Sequence, residues 1–353
     1  MYYLCTMKKW MLIWVCLLPI FTVAQPPAGY YDAAEGLSGS ALKTALHNII
    51  SNGYTMTIYD NLWDVYPTTD NKPNGKLWDM YSDIPGGTAP YEFTFVTDQC
   101  GSYSSEGDCY NREHSVPQSW FGGSSPMYSD IFHVVPTDGK VNGQRSNYPF
   151  GEVSSASWTS QNGSKLGPCS FPGYTGTVFE PIDSFKGDFA RIYFYMCVRY
   201  KDEMPSWTGE SFSGGDLSVW TENMLLEWHA LDPVSTKEID RNNDVYGIQH
   251  NRNPFVDRPE WAHYIWGPTA GCEEPDFQNL VSVFPNPADE NTIIRYATDE
   301  RPENVYLCDI QGRVVYSGTG ETTIETRDLP NGYYFLKFSF KNGVAEKEIV
   351  IMH

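Results

Sequence analysis

At 353 residues the chain is too long for one average domain and too short for four, so two folded units with short extra segments are expected. Its net charge of −20 excludes a protein that grips a polyanion through a broad basic face; a nucleic-acid partner would need a local patch and a bound metal, because the overall field repels it. The absence of an HExxH helix and of CxxC or paired-histidine spacing argues against a metalloprotease and against a structural zinc site.

The N-terminus has the layout of an export signal. Met7-Lys8-Lys9 precede an apolar run over residues 10–21, and Thr22-Val23-Ala24 suit a signal peptidase, so cleavage is expected after Ala24. The run is shorter than the roughly 20 residues of a bilayer-spanning helix, and Pro19 interrupts it, so no permanent membrane anchor is expected. Cys5 and Cys16 leave with the signal, and the remaining cysteines meet an oxidising setting. Cys100 and Cys109 enclose a Gly/Ser-rich loop and form the first expected disulfide; Cys169 with Cys197 is the second.

From residue 25 to about 275 the chain is rich in Trp, Tyr, Gly and Pro, with few long periodic runs, which predicts many loops around a modest number of helices and short strands. A short helix is expected over 41–51. A second spans 186–200, where Phe189, Ile192, Tyr193, Met196 and Tyr200 recur at steps of three and four and give one inward face. A third spans 218–231 and stops at Asp232-Pro233. Most of the aromatic residues are expected in the core.

The chemistry sits between these helices. Asn111-Arg112-Glu113-His114 is followed, after a loop, by His133 and then by Asp138-Gly139-Lys140-Val141-Asn142-Gly143-Gln144-Arg145-Ser146-Asn147. Glu113 offers a hard oxygen and Asn142 a neutral amide oxygen, a pair suited to Mg²⁺ with several waters retained. His114 can be neutral at working pH and still accept a proton, as a general base must. Neighbouring strand residues point to opposite faces, so Glu113 and His114 can share one ion only at a strand end, which Pro117 fits. A helical turn over 141–145 would then return Asn142 to the site. His133, His229, His250 and His263 read as core or surface histidines.

After Cys272 the texture changes, and strands are expected at 292–296, 305–310, 313–316, 322–326, 333–340 and 345–351, with turns at Gln311-Gly312, Asn331-Gly332 and Asn342-Gly343. Such a tail is a small β-sandwich.

Two resemblances follow. Asn111-Arg112-Glu113-His114-Ser115-Val116-Pro117-Gln118-Ser119-Trp120-Phe121 and the stretch from Val135-Pro136-Thr137-Asp138 to Tyr148-Pro149-Phe150-Gly151 resemble the endonuclease I family of secreted bacterial nucleases. So do Phe179-Glu180-Pro181, Lys186-Gly187-Asp188-Phe189-Ala190-Arg191 and Gln249-His250-Asn251-Arg252-Asn253-Pro254. The tail resembles the sorting domain of type IX secretion cargo, through Val283-Phe284-Pro285-Asn286-Pro287-Ala288, Asp309-Ile310-Gln311-Gly312-Arg313, Leu329-Pro330-Asn331-Gly332-Tyr333 and the closing Lys347-Glu348-Ile349-Val350-Ile351.

These resemblances imply an α+β fold: a signal peptide over 1–24, a His-Me (ββα-metal) finger nuclease domain over 25–275, and an all-β sorting sandwich over 276–353. They imply a secreted or cell-surface monomer, exported through the periplasm of a Gram-negative bacterium by the type IX machinery, that hydrolyses DNA, RNA or both without sequence preference. His114 is then the general base and Glu113 with Asn142 the ligands of Mg²⁺, for which Ca²⁺ or Mn²⁺ could substitute. Asn147 is the fallback for Asn142. Some relatives place a leaving-group arginine between the histidine and the asparagine; none lies there in this chain, so Arg145, Arg112 or the hydrated metal would take that role. Arg112, Asn147 and Arg252 are the expected substrate contacts. The competing expectation is a non-catalytic adhesin or nucleic-acid-binding protein that keeps the finger as scaffold.

Overall fold

The computed structural model describes residues 26–267, 280–297, 301–340 and 343–353; the expected signal segment and Cys272 lie outside the described residues. Helix α1 (Gly39–Ser51) buries Leu42, Leu46 and Ile50, four residues apart on one stripe. Helix α2 (Leu62–Thr69) precedes a long loop-rich stretch. Strands β1 (Tyr110–His114) and β2 (Val134–Asp138) then pair antiparallel, with Glu113 opposite Val135 and His114 opposite Val134. Helix α3 (Gly139–Arg145) starts where β2 ends, because the Asp138 carboxylate accepts the Val141 amide at 2.8 Å and caps the first turn. The order is strand, strand, helix, and the helical turn expected around Asn142 is extended into a seven-residue helix.

A small antiparallel sheet of β3 (Trp158–Thr159), β4 (Lys165–Pro168) and β5 (Thr177–Glu180) leads into α4 (Asp183–Arg199). The sequence gives α4 one inward face, yet it is buried on all sides from Phe185 to Arg199, since α5, α1 and α7 all pack on it. Most of its buried charges are ion-paired, while Arg199 lies against the Tyr54 and Tyr200 rings and donates to Ser51. Lys186 reaches Glu152 at 2.9 Å and Glu180 at 3.0 Å, and Arg191 holds Glu238 through two nitrogens. The hairpin of β6 (Phe212–Ser213) and β7 (Asp216–Leu217) precedes α5 (Val219–Leu231), α6 (Thr236–Gln249), α7 (Pro254–Asp257) and α8 (Trp261–Trp266). Helix α6 was not expected, although Ser235 and Glu238 have the spacing of a capping box and form both of its hydrogen bonds.

Cys100 and Cys109 form the expected disulfide, with Cα atoms 5.5 Å apart. The second expected bridge is absent. Cys197 is fully buried inside α4 and Cys169 is half-buried beyond β4, both as free thiols, because a helix enclosed by its neighbours leaves no path for a bridging partner.

The tail has its own core. Strands β8 (Val281–Phe284), β9 (Asn291–Tyr296), β10 (Asn304–Asp309), β11 (Val314–Gly318), β12 (Thr323–Glu325), β13 (Gly332–Phe340) and β14 (Gly343–Ile351) form two sheets, β11-β10-β13-β14 and β12-β9-β8. Ile294 and Ile324 from one sheet and Leu307, Leu336, Phe338 and Ile349 from the other share that core. Strand β8 escapes the alternation pattern because only four residues carry it before Pro285.

Candidate active site

Glu113 and His114, at the end of β1, line one open cleft of about 470 Å³ together with Asn142, Arg112, Tyr59, Ser146 and Asn147. The end of the strand is held by Arg145. This fully buried guanidinium donates to the Glu113 carboxylate at 2.6 Å, to the His114 carbonyl at 2.8 Å and to the Ser115 carbonyl at 2.5 Å, and its face rests on the Phe150 ring. Tyr81 donates its hydroxyl to the same Glu113 oxygen, Oε1, at 3.0 Å. Among the described residues no donor reaches Oε2. Burial outweighs Arg145 and Tyr81 and pushes the Glu113 carboxyl up to about 7.

The His114 ring has its tautomer fixed. Nε2 lies 3.0 Å from the Tyr128 carbonyl, which can only accept, so Nε2 carries the proton and Nδ1 keeps a free lone pair. Tyr59 and Tyr128 stack near the ring at centroid distances of 5.6 and 5.2 Å. Burial, with the neighbouring His133, Arg145 and Arg112, pushes His114 down to about 3 against the Tyr128 hydrogen bond, so the imidazole is neutral across the ordinary pH range. The loop that supplies Tyr128 is tied down by Asp130, whose buried carboxylate takes hydroxyls from Tyr195 at 2.8 Å and Tyr200 at 2.6 Å.

His133 behaves as expected of a core histidine. It is fully buried, with Nε2 2.6 Å from the Met127 carbonyl, and burial pushes it down to about 4. A folded-state pKa below the unfolded value of about 6.5 makes its contribution to stability full above that pH and lost as pH falls toward 4. Between pH 7 and pH 4.5, wild type should therefore lose about 2 kcal/mol more than a His133→Asn variant in urea unfolding. Parallel losses in the two proteins would contradict the buried neutral ring.

On α3, Asn142 donates Nδ2 to Asn111 Oδ1 at 2.8 Å, which leaves its amide oxygen for the cleft. Arg112 lies flat over Tyr59, 3.7 Å from the ring centroid, and 4.6 Å from that of Trp63; one nitrogen donates to the Tyr59 carbonyl at 2.8 Å. Asn147 is exposed at the cleft wall. Two arginine expectations are corrected. Arg252 is not in the cleft: it is 2% exposed and clamps Asp257 through two nitrogens, each at 2.7 Å, because a carboxylate five residues on satisfies the guanidinium within its own loop. Arg145 borders the cleft behind Glu113, but its side chain is enclosed and its guanidinium is committed to Glu113 and two carbonyls, so it positions the carboxylate. Sequence reasoning missed Tyr81, Tyr128 and Asp130, which act from distant loops, Tyr128 through a backbone carbonyl that any residue supplies.

The strand-strand-helix unit with this cleft and the β-sandwich with its own core belong, by the similarities that follow, to a secreted nucleic-acid hydrolase that carries its own sorting domain. Residues 38–260 match the family model of Endonuclease I, and the chain belongs to that family. Residues 282–352 match the secretion system C-terminal sorting domain. The chain is 35% identical over 263 residues to the extracellular ribonuclease of Bacillus subtilis (strain 168), covering 71% of this chain and 83% of that protein. It is 37% identical over 261 residues to the extracellular ribonuclease of Bacillus amyloliquefaciens, covering 70% and 81%. To the periplasmic deoxyribonuclease of Aeromonas hydrophila it is 27% identical over 134 residues, 37% of this chain and 48% of that protein.

Proposed function

We propose that this protein is a divalent-cation-dependent endonuclease of the His-Me finger type that hydrolyses both RNA and DNA with little sequence preference. The observation that carries the reading is the His114 ring, neutral and locked with Nε2 on Tyr128, beside the Glu113 carboxylate in one cleft. Nδ1 of His114 takes a proton from water as the water oxygen attacks phosphorus, and the bond from phosphorus to the leaving oxygen breaks.

The residues present fit a hard cation. Among the described residues no donor reaches Glu113 Oε2 or the Asn142 amide oxygen, both residues line the same cleft, and a cation there would offset the burial that raises Glu113. Among the described residues no three His, Cys, Asp or Glu side chains group as a metal cluster, so one carboxylate, one amide and waters would hold the ion, the preference of Mg²⁺. When bound, Mg²⁺ supplies positive charge beside the scissile phosphate; Mn²⁺ or Ca²⁺ could replace it. Arg112, braced by Tyr59, contacts a phosphate, and Asn147 a neighbouring one. RNA as a substrate is favoured by the two Bacillus extracellular ribonucleases, which align over most of their length; DNA is favoured by the shorter alignment to the Aeromonas enzyme. Export across the periplasm of a Gram-negative cell, with a signal removed after Ala24 and sorting by the tail, completes the reading.

Plasmid DNA and RNA should both be cut with Mg²⁺ and neither with EDTA, and Glu113→Gln should lose activity by at least about a hundredfold at fixed Mg²⁺. Tight, EDTA-insensitive binding without cleavage would instead show a scaffold. Among the described residues that line the cleft Arg112 is the one Lys or Arg not fully enclosed, so log kcat/KM against log salt should fall with a slope of only about −1 to −2. A slope near −6 would point to a basic surface elsewhere.

A further inference from the structure

We infer that Tyr103, on the disulfide-closed loop between Cys100 and Cys109, is a positioning residue that holds α3 and thereby sets the amide of Asn142. Helix α3 has four faces: Val141 and Arg145 are buried inward, Asn142 and the capping Ser146 face the cleft, the third carries only Gly139 and Gly143, one turn apart, and half-buried Lys140 and Gln144 form the fourth. The Tyr103 ring lies on that third face. A Cβ at Gly139 would stand 2.6 Å from Tyr103 Cδ1, and a Cβ at Gly143 2.2 Å from Tyr103 Oη. Any larger residue at either position would lift the ring away, so the two glycines form a flat seat that the tyrosine fills. Glycine is among the weakest helix formers, and two in a seven-residue helix leave α3 little stability of its own.

The loop around Tyr103 is anchored at both ends of the same unit. Cys100 and Cys109 are bonded across nine residues, the Gly107 amide donates to Asp138, the N-cap of α3, at 2.8 Å, and the Gly139 amide donates to the Cys109 carbonyl at 2.9 Å. Disulfide, loop and tyrosine therefore form a clasp over the helix, while Glu113 and His114 are held from the other side by Arg145, Tyr81 and Tyr128. Loss of the clasp would loosen Asn142 first, because Arg145 at the far end of the same helix stays anchored through its own bonds to Glu113, His114 and Ser115. Tyr103 Oη has no hydrogen-bond partner among the described residues, so the ring, and not the hydroxyl, does the holding.

The cation half of this inference rests on Asn142 being a ligand; the clasp itself does not, and the experiment separates them. In metal-free protein, hydrogen exchange at the Asn142 and Gly143 amides should quicken at least tenfold in Tyr103→Ala and stay at the wild-type rate in Tyr103→Phe. Mn²⁺ binding, followed by electron paramagnetic resonance without substrate, should weaken about tenfold in Tyr103→Ala and remain normal in Tyr103→Phe. Gly143→Ala should lower the melting temperature in wild type by displacing the ring and raise it in the Tyr103→Ala background, where only the better helix propensity remains. Unchanged exchange in Tyr103→Ala, equal effects of Ala and Phe, or a Gly143→Ala shift of the same sign in both backgrounds would overturn the clasp. Faster exchange with unchanged Mn²⁺ affinity would uphold the clasp and overturn its link to the cation.

Discussion

His114→Ala is expected to lower kcat/KM on plasmid DNA and on RNA by about three powers of ten, with Mn²⁺ affinity within a factor of two of wild type. The size follows from losing the proposed general base in a site where, on that proposal, base and metal act together and neither alone sustains the rate. The selectivity follows from the geometry. His114 contributes a proton acceptor through Nδ1 and its Nε2 is committed to Tyr128, whereas the proposed ligand oxygens belong to Glu113 and Asn142. Burial holds the ring at about 3, so its protonation cannot set an acid limb near neutrality in wild type. An acid limb found near pH 7 that moves to lower pH as Mg²⁺ is raised would belong to Glu113, where proton and cation compete. Activity of His114→Ala within tenfold of wild type would remove the residue from the base role.

Much of the candidate site was legible because its residues are close in the chain and come to line one cleft. Glu113, His114 and Asn142 lie within thirty residues, and the rule that strand neighbours diverge already demanded a strand end, where β1 stops. The tail was legible for a similar reason: two-residue alternation and Gly-containing turns report a sheet that is wet on one face. Reading failed where long-range burial decides. The environment of α4 is set by three other helices, so its one-face pattern understated its burial. An arginine beside a chemical motif reads alike whether it meets a phosphate or a carboxylate, and only the fold shows that Arg252 meets Asp257 and Arg145 meets Glu113. Cysteine pairing failed likewise, because the spacing of Cys169 and Cys197 says nothing about the enclosure of the second.

The role given to Arg145 leads to the other large effect. Arg145→Met should destabilise the protein by about 3–5 kcal/mol near neutral pH, the range for removing one member of a buried ion pair. It would leave the Glu113 carboxylate with Tyr81 alone, remove the Arg145 donor from the His114 carbonyl and leave the Ser115 carbonyl with only the Tyr193 hydroxyl. The effect should depend on pH in a set direction. Glu113 already titrates at about 7, above its usual 4.5, so the folded state holds this proton more tightly than the unfolded state does. The stability that this gives is full below pH 4.5 and lost as pH rises toward 7. Without Arg145 the carboxyl would rise further and the loss would continue to higher pH, so the cost of the substitution should be smaller at pH 5 than at pH 8. Adding Glu113→Gln should recover part of the loss, since no charge then remains buried without its partner. Urea unfolding of the four proteins at both pH values measures every term. A cost that is equal at pH 5 and pH 8, or a double variant no more stable than Arg145→Met, would show that Arg145 serves the strand-end carbonyls and not the ionised Glu113.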